Sequence, residues 1–303
     1  MAEAAQTGAG GFGCVLAFDD ERDFAQSLGA ALGVPVEFVV RHRFPDGELK
    51  LRLPPVLPPA AVLLRSLHAP NEKLVEVLIA APAARELGVR RLALAAPYLA
   101  YMRQDIAFAP GEAVSQRHVG ALLARTVDAL VTVDPHLHRI ASLGEVMPGC
   151  RAVSVSAAAA IGAWVAHQVE RPVLLGPDEE SAQWVREAAR AGALAHGCCV
   201  KQRRGDFDVE IVLPTGLDLR DRHVVLVDDM ASTGRTLAVA ARLAHAAGAA
   251  AVDVAVTHAL FVGDALAQLH AAGVERVWSS DCVPHPSNVI GVAPLLAQAL
   301  RTL

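Results

Sequence analysis

Aromatic residues are scarce in this chain, at 4% of its 303 positions. Cysteine is scarcer still and shows no pattern. Cys14, Cys150, Cys198, Cys199 and Cys282 are odd in number and scattered, which argues against a disulfide-stapled fold and against a zinc-ligand spacing. An excess of charge of either sign is also missing. The net charge of −5 gives no basic surface that calls for nucleic acid or an anionic membrane. No uncharged apolar run reaches the roughly 18 residues of a membrane span. Met1 to Gly13 lacks the basic stretch of a secretory leader, so a cytoplasmic enzyme is expected. What the chain has in quantity is apolar residues, 53% against 19% charged, enough for two buried cores. At roughly 100–200 residues per domain, two domains are also the expectation from length.

Short apolar runs alternate with longer Ala/Leu-rich segments of helical composition. Strands are expected at Cys14–Phe18, Val36–Val40, Glu48–Leu53, Ala61–Leu67, Arg91–Ala96 and Ala129–Val133. Helices are expected at Glu21–Leu32, Asn71–Leu87 and Ser115–Arg125. The alternation restarts with a strand at Ala152–Val155 and a helix at Ala157–Gln168. It continues with strands at Pro172–Leu175, Cys199–Lys201, Val209–Val212 and Val224–Val227, and helices at Glu180–Ala191, Thr236–Ala246, Ala265–Ala271 and Ala293–Leu300. Such alternation predicts an α/β fold with mostly parallel sheets flanked by helices. The division is expected near residue 150, giving domains 1–150 and 151–303, with the last helix free to pack back on the first half.

The most informative stretch is 223–237. Four apolar residues, Val224 to Val227, read as a buried strand, and Asp228 and Asp229 follow where that strand should end. A hydroxyl-rich turn, Ser232-Thr233-Gly234, then leads through Arg235 into a helix beginning at Thr236. Turn N–H groups and the helix dipole together favour an anion such as phosphate. The acidic pair can hold ribose hydroxyls or a metal. The Gly-Lys-Ser/Thr ending of a Walker loop is absent.

Five other polar constellations fall where strands should end, which is where open α/β sheets bind ligands. Phe44-Pro45-Asp46-Gly47-Glu48 is either a plain hairpin with Phe44 in the core, or an aromatic platform for a base with two acceptors beside it. Tyr98 to Asp105 places Arg103 and Gln104 after a strand, suited to a nucleotide; the plainer reading is a solvated loop with Arg103 paired to Asp105. Asp134, His136 and His138 alternate after another strand, so they can share one side of an extended segment and one imidazole can help hold a metal. Asp178-Glu179-Glu180 precedes a helix, either complementing its dipole or binding Mg²⁺ with the help of substrate phosphates. Lys201-Gln202-Arg203-Arg204 reads as a basic loop, whose cations can offset charge on a transferred phosphoryl group.

In this order the six segments resemble those of the ribose-phosphate diphosphokinases, also called phosphoribosyl-pyrophosphate (PRPP) synthetases. The likeness runs from about residue 14 to about residue 300. Leu67-His68 to Lys73 and Gly111 to Ser115 are nearer the archaeal-type branch. The resemblance implies two phosphoribosyltransferase-like domains and the transfer of diphosphate from Mg-ATP to the anomeric hydroxyl of ribose 5-phosphate, giving PRPP and AMP. It also implies that Phe44, Asp46, Gly47, Glu48, Arg103 and Gln104 bind ATP, that His136 and Asp178 bind Mg²⁺, and that Lys201 and Arg203 are catalytic. Asp228, Asp229, Ser232, Thr233, Gly234, Arg235 and Thr236 would hold ribose 5-phosphate, in a homodimer or larger homo-oligomer. Two other readings of the same motifs are a transferase that consumes PRPP and a non-catalytic regulatory relative. The chain departs from the family at Pro177-Asp178-Glu179-Glu180-Ser181, where the usual run is Pro-Asp-Ala-Gly-Gly, and at Arg235, which stands for a usual Gly. The lost glycines would restrict backbone approach to a phosphate, and the added acids would repel it unless a metal intervenes.

Overall fold

The computed structural model describes residues 11–203 and 209–303. The chain divides into two compact units, one ending at Val155 and regaining Ala293–Leu303, the other Ser156–Val292.

The first unit contains β1 (Cys14–Phe18), α1 (Arg22–Leu32), β2 (Val36–Arg43), β3 (Leu49–Arg52), β4 (Ala60–Leu64), α2 (Pro70–Glu86), β5 (Arg91–Ala96), α3 (Ser115–Thr126), β6 (Ala129–Val133) and β7 (Arg151–Val155). Its seven strands lie in the order β3-β2-β1-β4-β5-β6-β7. All neighbours are parallel except the β2–β3 hairpin. Strands β1 and β6 are buried along their whole length, as expected of parallel strands covered on both faces. The units part after Val155 rather than at residue 150, because β7 pairs with β6 from Ala129↔Arg151 to Val133↔Val155. The strand expected to open the second half is therefore an edge of the first sheet.

The second unit contains α4 (Ala158–Gln168), β8 (Val173–Gly176), α5 (Ala182–Gly192), β9 (Ala195–Cys198), β10 (Val200–Arg203), β11 (Val209–Val212), β12 (His223–Ala231), α6 (Arg235–Ala246), β13 (Ala251–Ala259), α7 (Ala265–Ala271), β14 (Val274–Ser280) and β15 (Asn288–Ile290). Six strands form a parallel sheet in the order β15-β14-β13-β12-β8-β9, while β10 and β11 make a separate antiparallel pair. Leu226, Val254, Leu237, Ala241 and Leu269 close the core between this sheet and its helices. Each fully buried Leu or Val contributes about 1.5–3 kcal/mol.

Strands β13 and β14 are absent from the sequence reading because charge interrupts their apolar runs. Asp253 lies inside β13 and Arg276 inside β14, and they neutralise each other: Arg276 Nη2 is 2.6 Å from Asp253 Oδ2. The strand expected at Cys199–Lys201 is β10, and β9 before it is absent from the sequence reading; Cys199 separates the two, its N–H donating to the Gly176 carbonyl at 2.9 Å. The last helix, α8 (Ala293–Arg301), packs against α1, β6 and β7 of the first unit.

Candidate active site

Ligands of open parallel sheets bind beyond the carboxyl ends of the strands, where successive connections leave in opposite directions. In the second unit that place is the crevice between β8 and β12, since β8 has β9 on its other side. Asp178 follows β8 and Asp228 lies on β12. Pairing of β12 with β8 runs over Val224–Leu226, but pairing with β13 continues as far as Ala231. The strand therefore does not end at Val227 as expected. It carries Asp228 and Asp229 forward along β13, beyond the end of its pairing with β8.

Carboxylates crowd this crevice. Asp229 is 2% exposed, and its N–H donates to Asp228 Oδ1 at 3.0 Å. Burial, then the charges of Asp229 and Asp178, push the Asp228 carboxyl well above its ordinary range. Three carboxylates thus act on one another at the carboxyl ends of β8 and β12. Beyond them, Ser232 and Thr233 lead to Gly234, whose φ of +70° turns the chain into α6. The turn is braced by the segment that follows β13: Leu260 N–H donates to the Ala231 carbonyl at 2.9 Å and Val262 N–H to the Ser232 carbonyl at 3.1 Å. The first turn of α6 has no acid, Arg235 is exposed and Thr236 is half-buried. A helix N-terminus of this kind suits a phosphate.

At the departure from the family pattern, Glu179–Ser181 forms a 3₁₀ turn capped by Asp178, whose side chain accepts from Glu180 N–H at 3.1 Å. Ser181 is buried and its hydroxyl donates to the Asp178 carbonyl at 2.6 Å. Glu179 and Glu180 are exposed. The substituted residues thus hold Asp178 in place on one side and face solvent on the other. Lys201 and Arg203 lie at alternate positions of β10, opposite Ile211 and Val209 of β11. This corrects the expected basic loop: β-branched residues in β11 complete a ladder. Arg204 lies outside the described residues.

In the first unit the candidate nucleotide residues sit on three connections. Phe44 to Glu48 form the β2–β3 hairpin turn, closed by Phe44 N–H to the Glu48 carbonyl at 2.8 Å, with Gly47 at φ +98°. Phe44 is 39% exposed rather than core, and its ring stands edge-on to His42 with centroids 4.9 Å apart. Asp46 Oδ1 accepts from Glu48 N–H at 3.2 Å, so part of its capacity shapes the turn. After β5, Arg103 is exposed while Asp105 is buried and paired with Arg139 at 2.7 Å, not with Arg103. Gln104 Nε2 donates to the Ile106 carbonyl at 2.9 Å, and Gln116 of α3 holds the loop through Met102 and Gln104 carbonyls. After β6, the rings of His136 and His138 meet edge to face, centroids 3.8 Å apart, while Asp134 is buried with φ +36°. Among the described residues, no three His, Cys, Asp or Glu side chains are arranged to hold a metal by themselves. Arg139, the partner of Asp105, received no role from the sequence, because it lies 34 residues away along the chain.

The model of the N-terminal domain of ribose phosphate pyrophosphokinase matches residues 14–126, and the phosphoribosyl transferase domain matches residues 155–293. A ribose-phosphate pyrophosphokinase of Methanopyrus kandleri is 40% identical over 93% of this chain and 95% of its own length. One of Methanosarcina acetivorans is 33% identical over 92% and 96%. The fold is similar to the crystal structure of phosphoribosylpyrophosphate synthetase from Mycobacterium smegmatis, with a TM-score of 0.81 and 25% identity over 96% of this chain and 98% of that one. The two domain matches together span both units, one carrying the acidic crevice and the turn into α6 and the other the exposed aromatic hairpin, and on that ground the chain belongs to the ribose-phosphate pyrophosphokinase family.

Proposed function

We propose that this protein transfers diphosphate from ATP to the anomeric hydroxyl of ribose 5-phosphate, giving PRPP and AMP. The observation that carries the reading is the crevice between β8 and β12, where an acidic strand end meets an acid-free helix N-terminus. Asp228 and Asp229 suit the ribose hydroxyls, and Ser232, Thr233, Gly234, Arg235 and Thr236 suit the 5-phosphate. Phe44 offers a face for the base, with Asp46, Gly47 and Glu48 at the same turn. Arg103, exposed and released from Asp105, suits the nucleotide phosphates together with Gln104.

The donor set fits Mg²⁺. The raised Asp228 carboxyl, with Asp178 beside it, is stabilised in its ionised form by a divalent cation, and Mg²⁺ is typically held by one or two carboxylates plus substrate phosphates and water. In the second unit Asp178 is the residue assigned to it, and in the first unit the family resemblance assigns His136 to a metal. When bound, Mg²⁺ neutralises diphosphate charge. Lys201 and Arg203 offset the charge that builds on the transferred group as the anomeric oxygen bonds to the β-phosphorus and AMP departs. The segment at Phe44 is assigned to a site shared between copies of the chain, so the working form is at least a dimer in the cytoplasm.

Incubation with Mg-ATP and ribose 5-phosphate tests the reaction. AMP and PRPP should appear in equal amounts. ADP in place of AMP, or no turnover, would overturn the reading.

A further inference from the structure

The first sheet also has a place where connections diverge, between β1 and β4. Internal ions fill it. Asp20 and Glu21 follow β1, Arg65 follows β4, and Lys73 and Glu76 rise from the start of α2. Arg65 is fully buried, with Nη2 2.5 Å from Glu76 and Nη1 2.9 Å from Asp20. Lys73 Nζ is 3.1 Å from Glu21 and 3.0 Å from the Ser66 carbonyl. The crevice that holds acids and a phosphate turn in the second unit is here closed by the protein's own charges.

That closed cluster reaches outward to both nucleotide-side segments through α2. Glu76, with a side chain 1% exposed, accepts from Arg41 Nη1 at 2.5 Å. Arg41 lies on β2, three residues before Phe44. Arg43 and Glu72 meet at 2.7 Å across the same gap, but both are largely exposed and a pair of that kind contributes little. Asn71, one turn earlier on α2, accepts from the Tyr101 hydroxyl. Tyr101 holds a left-handed backbone, φ +63°, two residues before Arg103, a conformation that persists only when its surroundings impose it. Leu67 N–H, three residues after β4, donates to the Tyr98 carbonyl at 2.8 Å in the same loop.

We infer that the N-terminal turns of α2, anchored by the Arg65–Glu76 pair, are a positioning device for nucleotide binding: Glu76 through Arg41 sets the hairpin carrying Phe44, and Asn71 through Tyr101 sets the loop carrying Arg103. The inference rests on the proposed reaction, which assigns those two segments to ATP. Arg41 is the residue to vary. Its side chain is partly exposed, and its two partners, Glu76 and Asp20, both keep Arg65 when Arg41 is lost, so the variant should fold.

Calorimetric titration of the full-length protein with Mg-ATP, beside steady-state kinetics, decides the matter. Arg41→Ala should weaken ATP binding and raise its KM about tenfold, with kcat and the KM for ribose 5-phosphate within about twofold. Arg41→Lys should recover part of the loss, and Asn71→Ala should move the same constants in the same direction. Glu72→Gln should change none of them by more than about twofold. Unchanged ATP affinity in Arg41→Ala would overturn the positioning role. So would a fall in kcat matched by equal loss of both affinities and of melting temperature, which is the mark of a merely structural pair. Wild-type protein that binds ATP but forms no PRPP would overturn the reaction alone, since the binding series still reads the positioning.

Discussion

Lys201 is the residue on which the chemistry is most directly exposed to test. Lys201→Ala should lower turnover by about 10²–10³-fold while Mg-ATP still binds, because a cation that meets charge only in the transition state adds to kcat and not to ground-state affinity. Near-normal turnover by rapid quench would remove it from the mechanism. A second single-residue effect concerns pH. Burial, with Lys73 and Arg65 beside it, depresses the His68 imidazole to about 4 from an ordinary 6.5. Below pH 6.5 the unfolded chain takes a proton that the folded protein refuses until about pH 4, so the stability His68 contributes is present above 6.5 and is lost as pH falls through that window. His68→Gln should flatten the melting temperature between those two values relative to wild type. Parallel curves for the two proteins would show that His68 is not responsible.

Elements are held at two places by contacts that no local rule requires. Helices α4 and α5 cross so closely that a Cβ on Gly162 would lie 2.0 Å from the Ala188 carbonyl oxygen. Gly162→Ala should therefore force the helices apart and cost about 1–3 kcal/mol by denaturant unfolding, although alanine is the better helix former. At the amino end of the second sheet, Asp253 is fully buried on β13 and gathers His223 of β12 at 2.7 Å and Arg276 of β14. Arg276 further stacks over Trp278, 4.7 Å from the ring centroid. Removing one partner of such a pair costs about 3–5 kcal/mol when both are buried. Arg276 is 44% exposed, so Asp253→Asn should fall at or below the low end of that range. An urea midpoint equal to wild type would contradict the assignment. The same triad explains why β13 and β14 escape a reading by apolar runs.

For the molecule as a whole, the chain leaves the first unit after Val155 and returns to it at Ala293. Leu296 and Leu300 of α8 are buried there, and Arg151 donates to the Thr302 and Leu303 carbonyls at 2.6 and 2.7 Å. Deleting α8 should therefore destabilise the sequence-distant first unit, by several kcal/mol at about 1.5–3 kcal/mol for each buried Leu. Limited proteolysis read by mass spectrometry should then cut first within residues 11–155. Initial cleavage confined to the second unit would contradict this.

The sequence by itself determined the fold class, because short apolar runs and helical periodicity are local signals, and strands such as Cys14–Phe18, Arg91–Ala96 and Ala129–Val133 are almost wholly apolar. It also located the turns at Phe44–Glu48 and Ser232–Thr236, since their glycines and hydroxyls are tied to backbone geometry. Tertiary structure alone decided that β7 belongs to the first sheet, that Arg203 also stands on the strand of Lys201, and that Asp105 takes Arg139 instead of Arg103. It alone brought Asp178 to Asp228, and Glu76 to Arg41. Apart from the β10–β11 pairing, these join residues tens of positions apart, and a charge carries no mark in the sequence of which opposite charge the fold will set beside it.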